Sequence, residues 1–461
     1  MKKTILMTVG HGLVARNLLR NQFLEIIKKK NIKLVIVTTA AGNEKFEKEF
    51  LSQNIIIEKM RSNVKRPLRE RLINFLHVSM QYNGTTEIKF KLREGKDKFI
   101  KFRSYIRRVF AFIFGKSVLI RKMIAKLDQF LLPDNVNDDL ILKYKPSLCF
   151  CTSMLITKEI DLIKAAKKRN IPVIGMVKSW DNLVKDIPLR LQPDILLVWN
   201  EVMKSQAINH QLIPEEKIKM VGIPQFDIYE KINNTRSLTR NQFMKSIKAN
   251  PLKKLILFAS EGMWSPGDPE IVRIIIDFIK KGYLKKDCHL HVRPHFLWGD
   301  YLEPLFKLEE DGLVSVDTEW NKSDAFPDRW DPTYKDMLHL AHSMKFADVV
   351  ITSPSTIVLD ASYFNKPIIN IGFDNSPTKN NTKNLKLLYE QEYYKKVMEY
   401  NATHFVTDKK QLLLKINESL ININKENPNQ NEFKRDFITY TDGRSGERIA
   451  HNILNVLNSP N

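Results

Sequence analysis

The first part of the chain alternates between short apolar runs and segments with apolar residues at helical spacing. The run at 5–10, for example, is followed by a helical pattern that continues to about residue 30. Because the apolar runs are nearly continuous, they predict parallel strands that are covered by helices on both faces. The predicted strands of this series are residues 5–10, 33–39, 54–60, 147–153, 171–177, 194–200 and 217–222.

A second series of the same kind follows residue 250. Its predicted strands are residues 254–260, 289–294, 314–318, 348–354, 367–373 and 404–407. We therefore predict an α/β protein of two tandem Rossmann-like, doubly wound domains that face each other across a cleft. The predicted bounds are 1–235 for the first domain and 250–430 for the second, with a helix in 431–461 that packs back on the first. A length of 461 residues suits two domains.

A basic segment at about 64–132 interrupts the first series and is predicted to be a helical insertion. Residues 1–126 contain 29 Lys and Arg but only 9 Asp and Glu, so they carry +20 of the total charge of +22. Such asymmetry predicts an anionic partner. Within residues 99–127, bulky apolar side chains stand among Lys and Arg, as in helices that lie on a membrane surface.

We predict that residues 99–127 bind an anionic membrane surface and that Phe110, Phe112, Ile113 and Phe114 enter the lipid. The alternative is a helix that covers the core and exposes a basic face to solvent. Nucleic acid is not expected as a partner, because these aromatic residues stand beside aliphatic ones and are not spaced for base stacking. The sequence has no apolar run of the roughly 18 residues that spans a bilayer, so we expect a cytoplasmic protein, peripheral on the inner face of the plasma membrane.

The segment at 353–356 contains the strongest signal for ligand binding. A predicted strand leads into Ser353, Ser355 and Thr356, after which a helix begins. Free backbone N–H groups and hydroxyl donors at this position suit a phosphate or pyrophosphate. Simple helix capping is the alternative, because Ser and Thr are preferred N-cap residues.

Three further segments contain candidates for binding the phosphates of a nucleotide. Arg293 and His295 end a predicted strand, where a guanidinium fork and an imidazole suit phosphate. Glu261 lies in the first strand-to-helix loop of the second domain, and Arg444 precedes the last helix. A surface arginine, a core histidine, an ordinary loop and a surface helix cap are the respective alternatives.

The first domain contains the candidates for catalysis and for acceptor binding. His11 lies between two glycines after the first strand, and Asp181 follows the strand at 171–177. Either side chain suits a general base, and the Asp181 carboxylate also suits a nucleophile. Trp180 and Asn182 are candidates for contacting the acceptor. Turn chemistry explains the glycines and the Asp-Asn pair comparably well.

The motifs give no support for a cofactor or a metal. The glycines around His11 fit a relaxed dinucleotide fingerprint, but the second strand ends in Thr38 and Thr39 without the acidic residue that NAD requires. The sequence has no strand-end DxD, no phosphate-binding P-loop and no His/Cys metal spacing. We expect no cofactor and no metal, with a nucleotide-linked molecule as a substrate.

Several segments resemble the glycosyltransferase-B (GT-B) superfamily. They are residues 336–374, 178–186, 198–227 and 441–450. Within that superfamily, the chain resembles bacterial surface-polysaccharide transferases and CDP-glycerol glycerophosphotransferases, and more distantly the nonhydrolysing UDP-N-acetylglucosamine 2-epimerases. The resemblance covers about 147–450 and is thin over 60–132.

The resemblance implies a metal-independent glycosyltransferase of GT-B type. The nucleotide donor would bind to the second domain, and a cell-surface glycan or lipid-linked acceptor would bind to the first. The turn at 353–356 would hold the donor phosphates. The alternatives that remain open are a CDP-polyol phosphotransferase and a sugar-nucleotide epimerase.

Overall fold

The computed structural model describes most of the chain. It covers residues 2–459 except 62–66, 82–84, 90–97, 133–135, 186–187, 235–237, 263–264, 296–302, 318–321, 374–384 and 423–426. The chain divides into two compact units. Unit 1 comprises Met1–Asp227, Lys322–Pro332 and Asp442–Asn461, and unit 2 comprises Ile228–Asn321 and Thr333–Thr441.

Unit 1 contains a parallel sheet of seven strands in the order β3-β2-β1-β4-β5-β6-β7. The strands are β1 Lys3–Val9, β2 Ile32–Thr38, β3 Ile55–Lys59, β4 Leu148–Cys151, β5 Val173–Met176, β6 Ile195–Val198 and β7 Ile218–Met220. Almost every residue of the central strands β1 and β4 is buried, as their continuous apolar sequences require. The strand order reverses between β1 and β4, and ligands of such sheets bind beyond the strand ends at this point.

The helices of unit 1 connect these strands. They are α1 Gly12–Val14, α2 Gln22–Lys28, α3 Glu44–Phe50, α4 Pro67–Ser79, α5 Lys98–Phe114, α6 Val118–Leu131, α7 Asp138–Tyr144, α8 Thr157–Lys168, α9 Asn182–Lys185 and α10 Glu201–Asn209. A π-helical segment, Ala15–Leu19, continues α1. The last helix of the chain, which we call α21 (Ser445–Asn458), packs on α2 within the same unit. Asp227 binds the start of α21 by accepting hydrogen bonds from the backbone N–H groups of Ser445 and Gly446.

Helices α4, α5 and α6 occupy the interval of the predicted insertion, and a buried carboxylate connects two of them to the sheet domain. Asp128 of α6 is fully buried and accepts hydrogen bonds from Lys164 of α8 (2.6 Å) and from Arg190 (2.7 and 2.8 Å). Its Oδ2 also lies 3.2 Å from Nε2 of His77 on α4. Burial opposes the ionisation of Asp128, but these partners hold its pKa well below the usual value.

Unit 2 contains a parallel sheet of six strands in the order β10-β9-β8-β11-β12-β13. The strands are β8 Lys254–Ala259, β9 Cys288–Arg293, β10 Val314–Val316, β11 Val349–Thr352, β12 Ile368–Ile371 and β13 His404–Val406. Its helices are α11 Asp227–Asn234, α12 Arg240–Ser246, α13 Asp268–Lys280, α14 Glu303–Phe306, α15 Tyr334–Phe346, α16 Ile357–Tyr363, α17 Leu385–Tyr389, α18 Glu392–Glu399, α19 Lys409–Ile421 and α20 Pro428–Phe437. Here the strand order reverses between β8 and β11.

Two Rossmann-like α/β domains, each with a parallel sheet, are therefore confirmed. The parallel pairing runs through both sheets, and the seven and six strands agree with the two apolar series in the sequence. Among the described residues, no helix has the length and apolar character needed to cross a membrane.

Helix α5 exposes its aromatic face and buries its small residues. Ser104 and Ala111, seven positions apart, are buried, whereas Phe102 is 62% exposed and Phe112 is 91% exposed. On α6, Leu119 is 70% exposed and Phe130 is 80% exposed. Soluble proteins seldom leave an apolar patch of this kind uncovered.

The four residues that we expected to enter a membrane differ in their exposure to solvent. Phe112 and Ile113 are exposed, whereas Phe110 and Phe114 are half-buried, with ring centroids 4.9 Å apart. Only Phe112 and Ile113 are therefore well placed for such a role.

Candidate functional site

A polar network joins the loops that follow β8 and β11, beside the crevice at the strand reversal of unit 2. Asp268, the first residue of α13, is buried and accepts hydrogen bonds from the hydroxyls of Ser260 (2.6 Å) and Ser265 (2.5 Å) and from the backbone N–H of Glu261 (3.0 Å). The Ser353 hydroxyl also donates to Asp268, at 3.2 Å. Burial raises the pKa of Asp268 to about 6 despite these donors. The network fixes the loops that follow β8 and β11 relative to each other.

The neighbouring residues of the turn are more accessible than Ser353. Ser355 is half-buried and Thr356 is exposed. Thr356 is the N-cap residue of α16, but its side chain makes no capping hydrogen bond. The Ser355 backbone hydrogen-bonds Tyr394, and the charge of Glu261 acts on the same tyrosine. The structure thus gathers Glu261, Ser353, Ser355 and Thr356 at one crevice, with Ser353 held in the internal network.

Arg293 and His295 lie beside this crevice, at the end of β9. The Arg293 carbonyl accepts a hydrogen bond from the Ser260 backbone N–H at 3.0 Å, which places the end of β9 next to the end of β8. The Arg293 guanidinium forms an ion pair with Asp317, whose side chain is fully buried after β10. His295 is half-buried, two residues beyond the strand. Arg293 therefore already has an anionic partner within the protein.

Further histidines lie on β9 and α15 around Asp317. His291 is buried, and its Nδ1 lies 2.9 Å from the Ser315 hydroxyl. Nε2 of His339 lies 3.3 Å from Oδ1 of Asp317. Burial lowers the pKa of His291 to about 3, so its imidazole is neutral at physiological pH.

In unit 1, His11 follows β1 at the point where the strand order reverses. Its Nδ1 lies 3.7 Å from Oδ2 of Asp328, and among the described residues its Nε2 has no hydrogen-bond partner. Asp328 belongs to Lys322–Pro332, the segment that the middle of the chain contributes to unit 1. A Cβ on Gly12 would lie 1.7 Å from the Trp330 carbonyl oxygen, so this segment requires glycine there. Close packing of the chain therefore explains Gly12 without a dinucleotide.

A second carboxylate lies near His11. Glu159 of α8 is fully buried and accepts hydrogen bonds from the backbone N–H groups of Ser153 (2.8 Å) and Met154 (3.0 Å) beyond β4. Burial raises the pKa of Glu159, whereas these donors and the charge of His11 act in the opposite direction. The ends of β1 and β4 are thus bordered by an imidazole and two acidic residues.

The candidates after β5 are well buried. Trp180 is 1% exposed, Asp181 4% and Asn182 5%. The Asp181 carboxylate lies 3.0 Å from Nζ of Lys185 and accepts a hydrogen bond from the Asn182 amide at 3.3 Å. Burial opposes the ionisation of Asp181, but Lys185 and neighbouring donors lower its pKa. A role for Trp180 in stacking on an acceptor would require this burial to be relieved.

Arg444 belongs to unit 1, whereas the other donor-binding candidates belong to unit 2. It is exposed and forms an ion pair with Glu447, with 2.7 Å between Nε and Oε2. Four acidic residues that border the candidate sites were not among the residues predicted from the sequence: Glu159, Asp268, Asp317 and Asp328. The signal that could have found Asp317 was position, because it lies near the end of the predicted strand 314–318, beside the strand that leads to Arg293.

The fold and the two crevices define the class of protein as two-domain and Rossmann-like, of the GT-B type. The family model of CDP-glycerol:poly(glycerophosphate) glycerophosphotransferases matches residues 190–455, more than half of the chain. The chain belongs to this family of transferases. A search of curated proteins gives no significant match.

Solved structures show the same two-domain fold over nearly the whole chain. A UDP-GlcNAc 2-epimerase from Methanocaldococcus jannaschii has a TM-score of 0.54 at 15% identity, covering 99% of this chain and 100% of its own. A glycosyltransferase from Rickettsia africae has a TM-score of 0.52 at 14% identity, with coverages of 99% and 100%. The wall teichoic acid polymerase TagF has a TM-score of 0.51 at 11% identity, with coverages of 99% and 88%. At these identities the likeness is one of fold.

Proposed function

We propose that the chain transfers a group from a nucleotide-linked donor whose diphosphate binds in unit 2, beyond the ends of β8 and β11. The observation that carries this proposal is the family match over 190–455, which includes both of these strands. The crevice suits the role because it is the point of strand reversal, where ligands of open parallel sheets bind. It also offers the Ser355 and Thr356 hydroxyls near backbone N–H groups.

The assignments within the donor site follow from accessibility. Thr356 and Ser355 would donate hydrogen bonds to the diphosphate, while Ser353 would keep the turn in place through Asp268. His295 and Arg293 would add positive charge or hydrogen-bond donors at the neighbouring strand end, with Arg293 shared between Asp317 and the donor. Glu261, in the loop after β8, completes the candidates for binding the nucleotide in unit 2, whereas Arg444 of unit 1 stays a prediction from the sequence. These groups would stabilise the leaving nucleotide without a metal or other cofactor in the crevice.

The family description favours a CDP-linked polyol such as CDP-glycerol as the donor. In that reaction an acceptor hydroxyl attacks the phosphorus that bears the polyol. A new P–O bond forms, the P–O bond of the diphosphate breaks, and CMP leaves. The acceptor would be the hydroxyl of a cell-surface polymer or a lipid-linked glycan.

Transfer of a sugar is the second candidate, favoured by the resemblance of residues 336–374 to surface-polysaccharide transferases. The acceptor hydroxyl would then attack the anomeric carbon. The C–O bond to the donor would break and a nucleoside diphosphate would leave. The two reactions thus differ in the nucleotide that is released.

His11 is the preferred general base in either reaction. Asp328 can orient its ring from the Nδ1 side, which leaves Nε2 to take the hydroxyl proton. Asp181 is the alternative, but its ion pair with Lys185 and its lowered pKa make it a weaker base. Trp180 and Asn182 would then support the acceptor side of unit 1.

Product analysis tests the class of reaction. The protein is incubated with CDP-glycerol, UDP-GlcNAc or UDP-glucose, each with and without a glycerol-phosphate oligomer or a lipid-linked glycan, and the released nucleotides are separated. We expect CMP from CDP-glycerol, formed only when an acceptor is present. Release of UDP with an acceptor would establish the second candidate. Conversion of UDP-GlcNAc without any acceptor would indicate epimerisation and contradict the proposed transfer.

Helices α5 and α6 would hold the chain at an anionic membrane on the cytoplasmic side, near a lipid-linked acceptor. The support is the exposed aromatic and aliphatic face of α5, together with exposed basic residues such as Lys101 and Arg103 on the same helix. Apolar side chains enter the lipid boundary in such an arrangement, while cations contact the headgroups.

Liposome flotation tests this surface. Replacing both Phe102 and Phe112 with serine should lower the fraction bound to vesicles with anionic phospholipid by at least about tenfold, because each buried aromatic ring contributes roughly 1.5–3 kcal/mol. Leu252→Ser is the control, since Leu252 is 92% exposed but lies in unit 2. Equal flotation of the double variant and the wild type would contradict the membrane assignment.

A further inference from the structure

A side pocket of unit 2 contains a group of potential metal ligands, of which the proposed transfer involves only Asp317, as the ion-pair partner of Arg293. The cavity has a volume of about 760 Å³, and its wall includes His291, Ser315, Asp317, His339 and His342. The described residues that line this cavity do not include Glu261, Ser353, Ser355 or Thr356. We call this cavity the histidine pocket.

Three of these side chains are close enough to share one ion. His291, Asp317 and His339 each offer a ligand atom, and the three atoms lie within 4.8 Å of one another. The 3.3 Å between Nε2 of His339 and Oδ1 of Asp317 is close to the separation of two ligands on a tetrahedral ion with bonds of about 2.0–2.1 Å. Two imidazoles and one carboxylate form a common ligand set for zinc and related transition metals.

The surroundings of these ligands have the features that support a metal centre. When Nδ1 of His291 donates to the Ser315 hydroxyl, Nε2 of the ring carries a lone pair. The Arg293 guanidinium binds Oδ2 of Asp317 and leaves Oδ1 toward His339. Such outer contacts orient metal-binding histidines and carboxylates.

An unsatisfied buried atom is an independent observation that points to a ligand. Nε2 of His291 is buried and makes no hydrogen bond to any residue that the structure describes. Buried polar atoms without a partner are uncommon, because their desolvation is not repaid. A bound ion would supply that partner.

The cavity also gives solvent or a ligand access to this group of side chains. Asp317 is fully buried, whereas the His339 side chain is 14% exposed and lies at the wall of the cavity. The protein provides three ligands, so a water molecule or an anionic group in the cavity would complete the coordination. Lys231, Lys248 and Lys335 on the same wall would favour an anion there.

We infer that His291, Asp317 and His339 bind a divalent transition-metal ion, with zinc as the first choice, and that its open coordination position faces the histidine pocket. Helix α15 supports this arrangement, because a capping box between Thr333 and Asp336 fixes the start of the helix at Tyr334, shortly before His339. The inference is independent of the identity of the nucleotide donor.

Metal binding by tag-free protein tests the inference. The protein is treated with a chelator, equilibrated with zinc, desalted and assayed for bound metal by mass spectrometry, and cobalt is titrated separately while visible absorption is recorded. We expect about one zinc per chain and cobalt bands of a low-coordinate site in the wild type. His339→Asn should lose both signals, and Ser315→Ala should weaken the zinc Kd about 10- to 100-fold.

Two histidine variants provide matched controls. His342→Asn removes an imidazole from the same cavity wall, and His404→Asn removes a half-buried one from β13. Both should bind zinc as the wild type does. His339 is at the cavity wall, so its replacement is expected to leave the fold intact, and circular dichroism checks this. Wild-type protein that binds no more zinc than His339→Asn, or equal losses in all three histidine variants, would overturn the inference.

Discussion

Replacing His11 with asparagine is expected to lower the turnover number with saturating donor and acceptor by about 100- to 10,000-fold. This is the usual loss when a positioned general base is removed. Asparagine retains a similar size and polarity, and the His11 side chain is 16% exposed, so the melting temperature should change little. Turnover is measured by the nucleotide released per enzyme, with the donor Kd measured separately.

Two variants make this result specific. His451 lies on the exposed side of α21, and His451→Asn should retain wild-type turnover. Asp181→Asn distinguishes the other candidate for the base. Turnover of the His11 variant within about twofold of the wild type, alongside a large loss in Asp181→Asn, would show that Asp181 is the base.

Replacing Asp128 with alanine is expected to lower the free energy of unfolding of unit 1 by roughly 3–5 kcal/mol. Removing one member of a buried ion cluster leaves its partners without a counter-charge, and here Lys164 and Arg190 would both remain buried. Calorimetry should show a shift of the transition that belongs to unit 1. Asp139→Ala is the control, because Asp139 is 59% exposed and pairs with Arg61, so it should cost at most about 1 kcal/mol.

The pH dependence of the same cluster follows from its pKa shifts. The pKa of Asp128 is lowered in the folded protein, so its contribution is complete above the ordinary value of 3.8 and is lost as the pH falls below it. Burial also lowers the pKa of His77 from 6.5, so stability should begin to fall as the pH drops through 6.5. Because Asp128→Ala lacks this carboxylate, the difference in free energy of unfolding between the wild type and Asp128→Ala should narrow as the pH falls below the ordinary pKa of aspartate. A difference that stays constant down to pH 3 would contradict the ionic role of Asp128.

The fold was predictable because its strands are buried on both faces. A strand such as β1 must be apolar at nearly every position, and this leaves a continuous run that is visible without any partner. The segment 322–332 was not predictable in this way. Its place in unit 1 depends on Phe326 packing on Phe46, with ring centroids 5.6 Å apart, and on the approach of Trp330 to Gly12. Such contacts join distant parts of the sequence and leave no local period.

The sequence predicted where the candidate residues lie in the fold, but not which side chains they bond to. The strand ends located His11, Arg293 and Ser355 at sheet edges, since the carboxyl ends of parallel strands lie at one edge. Sequence alone did not show that Arg293 pairs with Asp317, 24 residues further on. Nor did it show that Ser353 belongs to the network of Asp268, 85 residues earlier. Hydrogen bonds over such separations depend on the register of neighbouring strands, which the apolar pattern does not specify.

A crystal structure with a bound nucleotide tests the central claim most directly. The crystals would be soaked with CDP and, separately, with CDP-glycerol. We predict electron density for a diphosphate beyond the ends of β8 and β11, with its oxygens in hydrogen-bonding distance of Thr356 and Ser355. A nucleotide bound elsewhere in the chain, with this crevice empty, would contradict the account.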